Sequence, residues 1–189
     1  MNQLFMRLKC RPLQAGAPHF RIVNPTTLGI EPERFADSWA VCCESINGGL
    51  WTRERFEQEM RGDPLIRDDG ILFAETGDGD LISTVSVQLG RAYPYVDWDY
   101  ARSSTLCMFG TRWGFSGRGV GLAVCRAAID YSLRHGADTM YLTTDNFRLA
   151  SIKIYLKLGF LPVLYDNEQT ARWRNIARAL EHEIECVIP

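Results

Sequence analysis

Three glycines in five positions, Gly117, Gly119 and Gly121, stand in the stretch FGTRWGFSGRGVGLAVCRAAIDYSLRHG (residues 109–136) and run directly into a helical apolar pattern. Glycine is costly at a helix start unless the backbone must adopt a dihedral that a Cβ forbids or come close to another group. A strand feeding such a turn aims several free N–H groups and the positive end of the helix dipole at one point, which makes an anion site. A phosphate or pyrophosphate suits that chemistry, and a ligand-free tight turn is the plain alternative. Two phosphate-binding motifs fail on spacing. The P-loop needs a lysine and a hydroxyl residue after its last glycine, whereas Gly121 is followed by Leu122 and Ala123. The dinucleotide fingerprint needs a third small residue, but Gly117 with Gly119 leaves Leu122 there and Gly119 with Gly121 leaves Val124. Only Asp145, at the end of the next strand, imitates that motif's ribose acid.

The elements that must position this loop follow from periodicity. Val120, Ala123, Val124, Ala127, Ala128 and Tyr131 share one helical stripe, and His135 with Gly136 ends it. Before the loop, STLCMFGT reads as a strand; after its helix, TMYLTT reads as a strand, LASIKIYLKLG as a helix ending at Gly159, and FLPVLY as a strand. Upstream, residues 4–10 alternate as a strand. Phe35, Trp39, Cys42, Cys43 and Ile46 repeat at helical spacing until Gly48 and Gly49, and Thr52 opens a short helix to about Met60. RGDPLIRDDG reads as a loop, and ILFAET and LISTVSVQL, joined by GDGD, as a hairpin. YPYVDWDY (Tyr93 to Tyr100) reads as a further loop, Gln169 to Leu180 as a last amphipathic helix, and IECVI as a short terminal segment. An antiparallel hairpin region followed by alternating strands and helices makes a mixed α/β fold, expected as one domain over residues 1–189.

The run Ser116-Gly117-Arg118-Gly119-Val120-Gly121 resembles the pattern [Q/R]xxGx[G/A], the acyl-CoA pyrophosphate loop of the GNAT superfamily of N-acetyltransferases. ASIKIYLKLGF, Ala150 to Phe160, resembles the same superfamily's Y-x-K-x-G-F helix ending, at the expected distance and in the right strand and helix order. The resemblance implies a central mixed, mostly antiparallel twisted sheet flanked by helices and splayed where acetyl-CoA enters. Two positions depart from the pattern. Ser116 stands where the superfamily has Gln or Arg, leaving Arg118 to supply charge. Arg148 stands where it has the Asn that bonds pantetheine, so that role passes to Asn146, two residues earlier.

Under this resemblance the cosubstrate is acetyl-CoA, with no metal. Its pyrophosphate lies on the amides of residues 117–121 and its pantetheine along Met108, Phe109, Gly110 and Thr111, where Gly110 marks a bulge that frees backbone groups. A neutral amine attacks the thioester directly, a strand N–H stabilises the oxyanion, and Tyr155, the motif tyrosine, is the general acid for the departing thiolate. Glu75 and Asp145 at strand ends are candidate bases, with a water chain as the alternative; His19, His135 and His182 take no role. The implied acceptor is an amine-bearing small molecule or peptide, and YPYVDWDY, alternating aromatics with acids, is suited to hold a cation or simply to cover a hairpin. A noncatalytic acyl-CoA-binding or sensing domain of the same fold is the competing function.

Composition narrows the partners. Lys and Arg number 21 against 23 Asp and Glu, a net charge of -2, which offers no footprint for nucleic acid or an anionic membrane. No apolar run approaches a membrane span, and MNQLFMRLKCRP is too short and too charged for a secretory signal, so a cytoplasmic protein is expected, with a homodimer left open. The six cysteines lack ligand spacing and read as reduced core thiols.

Overall fold

A computed structural model describes residues 3–13, 20–46, 49–90 and 100–187. The strands are β1 (Leu4–Lys9), β2 (Arg21–Val23), β3 (Ile66–Glu75), β4 (Leu81–Leu89), β5 (Ser103–Thr111), β6 (Thr139–Thr144) and β7 (Leu161–Pro162). They form one sheet in the order β2-β3-β4-β5-β6-β1-β7. Every pair is antiparallel except β5 and β6. That parallel pair is short. It runs from Ser103↔Thr139 to Thr105↔Tyr141, beyond which β5 pairs with β4 alone and β6 with β1 alone. The sheet therefore splays open at the C-terminal ends of β5 and β6.

Helices cover both faces. α3 (Val120–Arg134) and α4 (Leu149–Leu158) bury Val124, Ala128, Ile152 and Tyr155 against Leu72, Val85, Val87 and Leu142. On the other face α1 (Pro32–Cys43) and α2 (Arg53–Arg55), which widens into a π-helical turn at Phe56–Arg61, pack Phe35, Trp39, Phe56 and Met60 on Ile71 and Phe73. α5 (Asn167–Leu180) buries Trp173 and Ile176 in the α3 and α4 core. Thr52 caps α2 by accepting from the Arg55 N–H at 3.3 Å, and Gly159, in the left-handed region at φ 91°, ends α4.

Two expectations are corrected. Residues 66–70, read as loop from their Asp and Gly content, belong to β3. A Cβ on Gly70 would sit 2.9 Å from the Tyr131 ring, so its absence lets α3 lie on the strand, where the Tyr131 hydroxyl donates to Asp69 at 2.9 Å. The second concerns Gly110, which pairs with Thr84 in regular register. The bulge lies one step earlier, where Met108 and Phe109 together face Val85 and Met108 takes φ 50°. Gly110 is small for another reason: a Cβ there would run into the Cys42 carbonyl, so glycine lets the end of α1 rest on β5. FLPVLY contributes only β7 and a parallel bridge from Val163 to Val187, within IECVI. Most of YPYVDWDY, with Gly48 and His19, lies outside the described residues.

Candidate active site

The splay opens into a cleft of about 700 Å³. Its walls are the tip of β5 (Phe109, Gly110, Thr111), the glycine loop with the start of α3 (Ser116, Gly117, Gly119, Val120, Gly121), and α4 with the turn before it (Phe147, Arg148, Ser151, Lys153, Ile154, Lys157). The end of α1 (Glu44, Ser45) closes the remaining side.

At the glycine loop, Gly117 and Gly119 hold φ 79° and 80°, and a Cβ on either would meet nothing within 4 Å, so the space above the loop is open. Gly119 is the N-cap of α3 but no side chain caps the helix, and its first turn carries no acid. The first helical donor is the Ala123 N–H, bonded to the Gly119 carbonyl at 3.0 Å, leaving the amides of Val120, Gly121 and Leu122 ahead of it. Gly121 serves packing instead: its Cβ would lie 2.7 Å from Phe109 Cζ and 3.0 Å from Ile154 Cδ1. Lys153, Lys157 and Arg148 add positive charge on the α4 wall. Three outward amides, a helix dipole and these cations make this half of the cleft a fit for a multiply charged anion such as pyrophosphate.

Thr111 is tied down from two sides. Its N–H donates to Ser45 Oγ at 3.3 Å, and its hydroxyl shares a 2.9 Å bond with Ser83, whose hydroxyl also donates to the Gly110 carbonyl. Arg148 lines the cleft with its guanidinium held by Asp145 at 3.2 Å.

Of the residues singled out from sequence, Phe109, Gly110, Thr111, Ser116, Gly117, Gly119, Val120 and Gly121 converge on the cleft. Four do not line it. The Met108 side chain packs with the α1 cluster on the opposite face. Arg118 turns outward, its guanidinium 5.3 Å from the Phe115 ring centre. Asn146 is engaged by Arg172 of α5 at 2.6 Å, so Arg148, and not Asn146, faces the cleft. Tyr155 is 5% exposed behind Phe109, the two rings edge to face at 6.0 Å. Burial pushes its hydroxyl far above the ordinary phenol value, with Cys125 adding to the shift and Arg148 and Ser151 pulling it back.

The candidate bases are also engaged elsewhere: Glu75 pairs with Arg21 at 3.1 Å and Asp145 with Arg148. His135 stacks on Tyr131 at 4.1 Å, away from the cleft. All six cysteines are free thiols; burial raises Cys10 and Cys42 to about 12 and carries Cys43 and Cys125 higher. Among the described residues no group of three or more His, Cys, Asp or Glu could hold a metal ion, and no helix is long and apolar enough to cross a membrane.

Sequence reasoning missed Glu44, Ser45, Ser151, Lys153, Lys157 and the ring of Trp113, all on the cleft wall. The i, i+4 spacing of Lys153 and Lys157 beside the motif tyrosine was a usable signal. Glu44 and Ser45 gave none, since only the packing of α1 on Gly110 brings them there.

Comparison with known proteins shows the family and the fold. The model of the acetyltransferase (GNAT) family matches residues 34–160. Among solved structures, a protein from the GNAT family of Novosphingobium aromaticivorans superposes with a TM-score of 0.56 at 16% identity, over 85% of this chain and 59% of that one. A GCN5-related N-acetyltransferase from Sphaerobacter thermophilus gives 0.56 at 22% identity, over 85% and 48%. A transcriptional regulator from Bacillus halodurans gives 0.56 at 18%, over 75% and 93%. The chain thus spans only about half to three-fifths of the first and second of these and nearly all of the third. Curated protein sequences yield no match.

Proposed function

The chain belongs to the acetyltransferase (GNAT) family, and from that premise we propose that it is an acetyl-CoA-dependent N-acetyltransferase acting on an amine. The observation that carries this reading is the uncapped start of α3 facing the open side of β5 across a cleft that also holds Lys153 and Lys157. Acetyl-CoA supplies the thioester that the amine attacks. The amides of Val120, Gly121 and Leu122 receive its pyrophosphate, and the tip of β5 orients its pantetheine arm. Phe109, Trp113 and Phe147 line the cleft with apolar rings.

Tyr155 keeps its proton at working pH, because burial raises it, and gives that proton to the departing sulfur. Tyr155 is buried and does not line the cleft, so Phe109, edge to face with it, must turn aside as the arm enters for the phenol to reach the sulfur. That burial favours a second reading, an acyl-CoA-binding or sensing domain without turnover.

A thiol-release assay with acetyl-CoA and a panel of amines, run beside a CoA titration, tests the proposal. CoA binding with turnover on at least one amine is the expected result. Binding without turnover on any amine supports the sensor, and absence of CoA binding overturns both.

A further inference from the structure

The cleft is electrically two-sided. The start of α3 presents a positive helix end without any acid in its first turn, and the end of α1 presents a negative helix end without any base in its last turn. Glu44 makes the second imbalance worse. It is the C-cap of α1, where a negative side chain opposes the helix dipole, and it is the only carboxylate among the described residues lining the cleft. Its backbone is held from both sides. The Cys42 carbonyl rests on Gly110, and Ser45 donates to that carbonyl at 2.9 Å while accepting from the Thr111 N–H, so α1 ends against the tip of β5. The cations Arg148, Lys153 and Lys157 stand on the α4 wall, and the exposed rings of Trp113 and Phe147 flank the cleft.

We infer that Glu44 and the negative end of α1 form the acceptor subsite, which receives a primary amine carried on an apolar body as its ammonium; the ammonium releases one proton to solvent, and the neutral amine then attacks. The assignment rests on the transferase reading and deepens it. A cation there offsets the unfavourable charge at the end of α1, as the pyrophosphate does at the start of α3, and the two unlike helix ends orient donor and acceptor head to head at β5. The same charge disfavours an anionic group at this end of the cleft.

The test uses phenethylamine and its uncharged analogue 2-phenylethanol, titrated calorimetrically into the CoA-saturated protein as wild type, Glu44→Gln and Glu44→Asp. Wild type is expected to prefer the amine by about tenfold, the scale of one charge-assisted contact. Glu44→Gln should erase the preference, Glu44→Asp should keep part of it, and CoA affinity should be the same in all three. An undiminished preference in Glu44→Gln, or none in wild type, overturns the assignment. The binding measurement needs no turnover. Amine held through Glu44 yet never acetylated overturns the transferase reading alone, whereas acetylation at equal KM by wild type and Glu44→Gln overturns this subsite alone.

Discussion

At the start of α5 the Asp166 carboxylate accepts from the amides of Glu168 and Gln169 at 2.9 and 3.0 Å, and Glu168 adds a second negative charge. At the start of α3 none of this exists: Gly119 has no side chain to cap with, and no acid follows it. Both helices begin with the same surplus of amide donors. α5 satisfies its own, while α3 leaves its donors facing a cleft with cations on the neighbouring wall. The difference separates a helix start filled by its own side chain from one that, on the proposed function, is left open for an anion.

The sharpest way to break that contrast is to put a carboxylate at the start of α3, although the left-handed backbone of Gly119 at φ 80° differs from the extended backbone of Asp166 and gives it charge without the same cap geometry. Gly119→Asp should leave the fold intact and lower CoA affinity about 100-fold by calorimetry, since ~2.7 kcal/mol of charge-assisted bonding is replaced by like-charge repulsion. Full affinity would move the pyrophosphate elsewhere. Tyr155→Phe should lower turnover by roughly 10²-fold with unchanged CoA affinity. Because burial raises this phenol above its ordinary value of 10, no alkaline loss of activity below that pH belongs to it, so wild type and variant should share the shape of their pH profiles. The same shift makes the folded state retain a proton that the unfolded chain releases, so Tyr155 should destabilise the protein only as pH rises past about 10.

The local half of this account was legible in the sequence. The glycine spacing, the α3 stripe and the ending of α4 at Gly159 are set by near neighbours, and they fixed the loop and both flanking helices. What escaped depends on contacts distant in the chain. Residues 66–70 look like a turn until Tyr131 packs over Gly70, and Gly110 looks like a bulge until the Cys42 carbonyl is seen beside it. Asn146 matched a motif role only approximately, and Arg172, 26 residues on, holds it. Glu44 has no periodicity to betray it.

Two smaller effects sharpen the contrast. Lys153→Ala combined with Lys157→Ala should weaken CoA binding about tenfold at low salt, and less at high salt, because both ammonium groups are exposed and screened. Asp166→Ala removes the cap of α5 and should cost about 1 kcal/mol in denaturant unfolding while CoA affinity stays as it was. A loss of affinity in this last variant would mean that the two helix starts are not independent.

The central claim, that the bare amides of α3 bind the pyrophosphate, is tested most directly by following backbone amide resonances as CoA is added to the ¹⁵N-labelled protein. The account predicts large shifts at Gly119, Val120, Gly121 and Leu122 and none at Glu168 and Gln169, whose donors are already satisfied. Saturable CoA binding that leaves the residues 119–122 unmoved would contradict it.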